Sequence, residues 1–145
     1  MSEEEVEAFL RERHTMNIAT LNHNGSIHVV AMWYALLDGA VVFETFAKSQ
    51  KVANLRRDTR ITALVEDGDS YDALRGVELV GTAEIITDHE LLMTIAREVI
   101  ARYQPEVPAG DLEAVAQMMV QKRVAIRLHV ERVVSWDHRK LAGHY

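Results

Sequence analysis

A small antiparallel β-barrel with peripheral helices is the fold class that this 145-residue sequence predicts. Three observations predict it. Short runs rich in β-branched and aromatic residues recur along the chain. Two tight-turn dipeptides, Asn24-Gly25 and Asp38-Gly39, separate the first of these runs. Helical spacing is confined to the N-terminus and to later insertions, so the order is not the regular βαβ alternation of a doubly wound sheet.

The elements follow in order. Ser2 followed by Glu5 is a capping-box pattern, and Glu3, Glu4 and Glu5 suit the positive end of a helix. Val6, Phe9 and Leu10 form its apolar stripe, and the helix is expected to run to about Arg13. MNIATL alternates as a strand and NHNGS turns the chain. The run Ile27–Leu37 reads as one strand that is apolar on both faces, so both faces are expected to be covered. Asp38-Gly39 turns again into AVVFETF, which would complete a three-stranded meander. A short helix follows on Val52 and Leu55, then RITALVE as a fourth strand. The polar connection Asp67–Gly76 is expected to be mobile without ligand. GVELVGTAEII is the fifth strand, with Gly81 marking a bulge or a bend. Asp88 caps a helix on Leu91, Leu92, Ile95, Ala96, Val99, Ile100 and Tyr103. Asp111 opens a shorter one with Leu112, Val115, Met118 and Met119. The sixth strand, RVAIRLHVERVVSW, puts Val124, Ile126, Leu128 and Val130 on one face, and a bulge is expected near Arg132. The tail WDHRKLAGHY is polar.

Composition bounds the function. Residues 1–145 are expected to form one domain with a real core, since 48% hydrophobic and 26% charged content is ordinary for a globular protein. There is no cysteine, which excludes disulfides and thiolate chemistry. The acidic N-terminus does not resemble a signal peptide, and no apolar run approaches a membrane span, so a cytoplasmic protein that does not bind membranes is expected. A net charge of −6 argues against nucleic acid as a partner. There is no G-x-G-x-x-G, Walker loop or G-x-S-x-G. None of the seven histidines falls in a metal-binding motif, and no metal site is expected. His23 and His28 can face each other across a hairpin, but exposed turn histidines are the plainer reading. A chain without its own catalytic constellation can still be an enzyme if a bound cofactor carries the reaction.

Against this acidic background, the stretch KSQKVANLRRDTR carries Lys48, Lys51, Arg56, Arg57 and Arg60 against the single acid Asp58. A strand leads into a helix whose first turn holds Ser49 and Lys51 beside unpaired backbone N–H groups, an arrangement that suits a phosphate. The plain alternative is an ordinary solvated helix surface.

Three motifs carry a family resemblance: A-T-L-x-x-x-G-x-x-H-V-V from Ala19 to Val30, K-x-x-K-x-x-N-L-R-R-D from Lys48 to Asp58, and the last strand ending in Ser135-Trp136-Asp137. Over nearly its whole length the chain resembles the pyridoxamine 5'-phosphate oxidase-like split β-barrel superfamily. More closely it resembles the actinobacterial branch of flavin/deazaflavin oxidoreductases that use coenzyme F420. The first motif is generic to the superfamily and the second is more specific to the branch. The resemblance implies a homodimer with the cofactor at the subunit interface. It implies phosphate contacts at Lys48, Ser49 and Lys51, with Asn54 and Arg56 toward the phosphate or tail, and Thr45 near the phosphate end. The strand through Val30, Met32, Trp33 and Tyr34 would run along the ring. Trp136, with His138 and Arg139, would reach in from the second subunit; Trp136 reads equally as a packing aromatic. The implied reaction is hydride transfer from reduced F420 to an unsaturated small-molecule substrate, with Tyr34 and His138 as candidate proton donors. The alternatives are an FMN-dependent oxidoreductase and a non-enzymatic member that binds haem or another cofactor. Arg56, Arg57 and Arg60 would line the path of the oligoglutamate tail that distinguishes F420.

Overall fold

A computed structural model describes residues 1–12 and 14–141. Among these residues it contains four α-helices and seven strands: α1 (Glu3–Arg11), β1 (Met16–Leu21), β2 (Ile27–Met32), β3 (Ala35–Leu37), β4 (Ala40–Phe46), α2 (Gln50–Arg57), β5 (Arg60–Asp67), β6 (Arg75–Ile86), α3 (His89–Tyr103), α4 (Leu112–Val120) and β7 (Arg123–Asp137). The strands form one antiparallel sheet in the order β2-β1-β5-β6-β7-β4-β3. The expected end of the first helix at Arg13, and residues 142–145 of the polar tail, lie outside the described residues.

The sheet curls round a core to which Phe9, Ile18, Phe43, Leu55, Val77 and Ile126 all contribute from different elements. A second apolar cluster joins its outer face at Val42 and Ala125 to α3 and α4 through Leu92, Ile95, Val99 and Ala116. Local chemistry sets the ends of the elements. Ser2 and Glu5 form the reciprocal capping box that the sequence suggests, and Asp88 accepts from the Leu91 N–H at 2.9 Å. Asp111, by contrast, makes no side-chain cap.

Two expectations about the strands are corrected. There are seven strands, not six, because Ile27–Leu37 is not one strand. Trp33 and Tyr34 interrupt it: β2 pairs with β1, β3 pairs with β4, and the two lie at opposite edges of the sheet, so the first three runs do not make a meander. The break has a physical cause. Tyr34 turns fully into the core, where its hydroxyl donates to the Leu10 carbonyl at 2.9 Å and its N–H donates to the Tyr103 hydroxyl at 3.3 Å. The Arg102 guanidinium stacks over its ring at 4.5 Å.

The bulge falls where expected. The β6–β7 register slips between Val80↔Arg132 and Gly81↔Val130, so Glu131 is the extra residue. Gly81 permits the close approach, since a Cβ there would run into the His129 carbonyl. The connection between β5 and β6 is shorter than the sequence suggests and contains a 3₁₀ turn at Tyr71–Ala73. Arg75 ties its base to Asp67 and to Glu12 at 2.7 and 2.6 Å. The His138 N–H donates to the Leu74 carbonyl at 2.8 Å.

Candidate cofactor cleft

β4 delivers the chain into α2, and the turn between them gathers three of the expected residues. Lys51 Nζ donates to Thr45 Oγ1 at 3.0 Å, and Thr45 Oγ1 lies 3.5 Å from Ser49 Oγ. Ser49 is the N-cap residue of α2, yet its side chain caps nothing, and the first turn carries no acid. The first-turn N–H groups and the positive end of the helix are therefore available to an anion. Lys48 is exposed at the same end. Partial burial, and then the nearby Arg123 guanidinium, hold the Lys51 ammonium below its ordinary range. An anion seated there would relieve both effects.

The remaining basic residues divide. Arg56 is exposed, without a hydrogen bond or ion pair among the described residues. Arg57 donates to the Leu21 carbonyl and Arg60 pairs with Asp58 at 2.6 Å, so two of the three arginines expected along a cofactor tail are engaged within the chain. Asn54 is also spent internally. It is fully buried, donates to Thr20 Oγ1 and Asn22 Oδ1 at 3.0 Å each, and accepts from Gln50 at 2.8 Å, which corrects its reading as a phosphate or tail contact.

Next to the seat, a cleft of about 300 Å³ brings Met32 and Trp33 together with Glu44 and Arg123, and Val99 and Met119 close its helical side. Trp33 is stacked on Tyr103, with ring centroids 4.9 Å apart and planes 3° from parallel. Val30 is half-buried and packs on the core. Tyr34 is corrected as a proton donor: it is completely buried and its proton is committed to Leu10, while burial pushes the phenol up to about 12. Glu44 was not singled out from the sequence. Only 5% exposed, its carboxyl is pushed up to about 7 by burial, against the opposing pull of Arg123. The signal for it was present, a lone acid inside the apolar run AVVFETF.

Trp136 lies elsewhere. It covers Gly76 on the neighbouring strand and lines a depression with Asn17, Ala19, Val29, Thr62 and Glu78. Arg123 and Trp136 stand at opposite ends of β7, a 15-residue strand, which is roughly 40 Å of extended chain. His138 Nδ1 donates to the Tyr71 carbonyl at 2.8 Å, with the two rings edge to face, and Arg139 pairs with Asp137 at 2.6 Å. Glu12, His14 and Asp67 cluster closely enough to suggest a cation site, but the Arg75 guanidinium already bridges the two carboxylates. Among the described residues, no helix is long and apolar enough to cross a membrane.

Comparisons with known proteins bear on the family and the fold. The family model described as pyridoxamine 5'-phosphate oxidase matches residues 2–137. The solved structure of the conserved hypothetical protein Rv2991 from Mycobacterium tuberculosis is similar over 100% of this chain and 90% of its own, at 46% identity and a TM-score of 0.91. A structure described as an F420 reductase matches at 24% identity and a TM-score of 0.66, covering 88% of this chain and 94% of its own. HutZ, the heme storage protein of Vibrio cholerae, matches at 16% identity and 0.70, covering 91% and 92%. These last two likenesses show the fold alone. No curated protein matches. The chain belongs to the pyridoxamine 5'-phosphate oxidase family and has its split β-barrel fold.

Proposed function

We propose that this protein is a homodimeric F420-dependent reductase that transfers hydride to an unsaturated small molecule. The observation that carries the reading is the Lys51–Thr45–Ser49 cluster at an uncapped helix N-terminus, opening beside a cleft walled by Met32 and Trp33. In this reading Lys48, Ser49, Lys51 and the first-turn N–H groups hold the cofactor phosphate, and the end of β2 lies along the ring. When bound, reduced F420 supplies the hydride. The chain's own part is to fix the ring, exclude water and aim the substrate, so it needs no nucleophile. Trp136 and His138 serve the site from the second subunit, since the length of β7 separates Trp136 from the seat within one chain.

One observation favours a second reading. With Arg57 and Arg60 engaged, only Arg56 among the expected tail contacts is exposed and unpaired among the described residues, and FMN needs the phosphate seat without the tail. Parallel titration of the purified protein with F420 and with FMN tests the choice. Tighter binding of F420, lost on removal of its glutamate tail, supports the first reading; tighter binding of FMN supports the second.

A further inference from the structure

We propose that the cavity between Trp33, Glu44 and Arg123 is a recognition site for a neutral planar ligand bearing a carboxamide or lactam edge, an N–H beside a C=O. Glu44 is 5% exposed, and neither carboxyl oxygen has a hydrogen-bond partner. A buried carboxyl left unpartnered is costly, and such groups mark places where something else completes the hydrogen bonding. Glu44 lines a cavity of about 300 Å³ with Arg123 and Thr15, and the rest of its wall is apolar: Ala31, Met32, Val99, Met119 and the Trp33 indole, which is 44% exposed. That shape suits one flat ring with a single polar edge.

Charge selects the edge. Arg123 disfavours a cation, and Glu44 disfavours an anion. A neutral group that offers one donor and one acceptor satisfies both. A carboxylate accepts the ligand N–H, and a protonated carboxyl also donates to the adjacent C=O, giving a two-point pair. Burial places Glu44 where both forms exist near neutral pH; Arg123 is the one charge that acts on it, and the apolar walls carry no titratable group. The inference stands whether or not the neighbouring anion seat takes F420.

The edge can belong to a substrate or to the pyrimidine end of a flavin-type ring, and phosphate-free probes separate the two. Calorimetric titration of the cofactor-free protein with nicotinamide, nicotinate and lumiflavin is the experiment. At pH 8, where Glu44 is mostly ionised, nicotinamide is expected to bind at least tenfold more tightly than nicotinate, because the acid lacks the N–H and its charge opposes that of Glu44. Glu44→Leu should remove at least tenfold of that affinity. Glu44→Gln should keep it, since a carboxamide presents the same edge, and a melting curve confirms that each variant is folded. Lumiflavin competing with nicotinamide assigns the edge to the cofactor ring; nicotinamide binding with lumiflavin excluded assigns it to a substrate. Equal affinity of nicotinamide and nicotinate, or unchanged nicotinamide affinity in Glu44→Leu, would overturn the proposal.

Discussion

Glu44 is a carboxyl that the fold holds at a cost. Its proton is bound more tightly in the folded chain, near pH 7, than at the ordinary value of 4.5. Below about 4.5 both states are protonated and there is no penalty. Between about 4.5 and about 7 the unfolded chain releases its proton first, so stability falls as pH rises, and above about 7 the whole loss remains. Glu44→Gln should therefore stabilise the cofactor-free protein at pH 8 by up to about 3 kcal/mol, with the gain fading toward pH 5. Urea denaturation at both pH values checks this, and a gain independent of pH would contradict the assignment. The arginines make a second comparison. Arg56→Ala should weaken tailed F420 about tenfold while leaving a tail-less fragment unaffected. Arg57→Ala should act mainly on stability, because its guanidinium holds the Leu21 carbonyl. Fluorescence titration of both cofactor forms, beside thermal melting, separates the two roles. At this scale the sequence was legible for charge and poorly legible for direction. Lys51 and Thr45 lie together at the start of α2, but Asn54 and Tyr34 turn inward, and one residue's rotation about a helix or strand is decided by distant packing partners such as Thr20 and Leu10.

The elements were read well where their ends carry local chemistry. The Ser2–Glu5 capping box and the Asp88 cap depend on residues three apart, and both form. The bulge at Gly81 was legible because Arg132 breaks a two-residue alternation. The split of Ile27–Leu37 was not, because Trp33 and Tyr34 are as strand-like as their neighbours. Contacts to Leu10, Arg102 and Tyr103, all distant in the chain, hold Tyr34 in the core and out of the strand. The bulge yields a paired prediction. Gly81→Ala puts a Cβ against backbone and should destabilise by about 2 kcal/mol or more. Gly110→Ala meets open space and should fall within about 0.5 kcal/mol of wild type. Chemical denaturation of both variants tests this, and a neutral Gly81→Ala would mean that the register shift is absent.

For the molecule as a whole, the exposed apolar residues need an explanation. Ile27 and Val29 on β2, Val130 just before the bulge of β7, and Val133 and Val134 beyond it are 38–68% exposed. The register places Val134 on the same face of the sheet as Ile27 and Val29, and Val130 and Val133 on the opposite face with the core residues Leu128 and Leu79; exposed apolar surface of this kind is what a second copy would cover. A dimer at micromolar concentration is the expected sedimentation result, with Val29→Lys or Val133→Lys shifting it toward monomer. A monomeric wild type would remove the basis for a shared site. The chain's broad class and the basic turn into α2 were legible in the sequence, because turn chemistry and a local excess of positive charge are written in neighbouring residues. The seventh strand and the Glu44 cavity were not, since each depends on contacts between residues distant in sequence. The central claim is that the start of α2 seats the phosphate of F420. Fluorescence titration of F420 against wild type and Lys51→Ala tests it most directly. One charge-assisted contact beside a helix N-terminus contributes about 1.5–3 kcal/mol, so the variant should bind roughly 10- to 100-fold more weakly while melting near the wild-type temperature. A folded Lys51→Ala that binds F420 as tightly as wild type would contradict the claim.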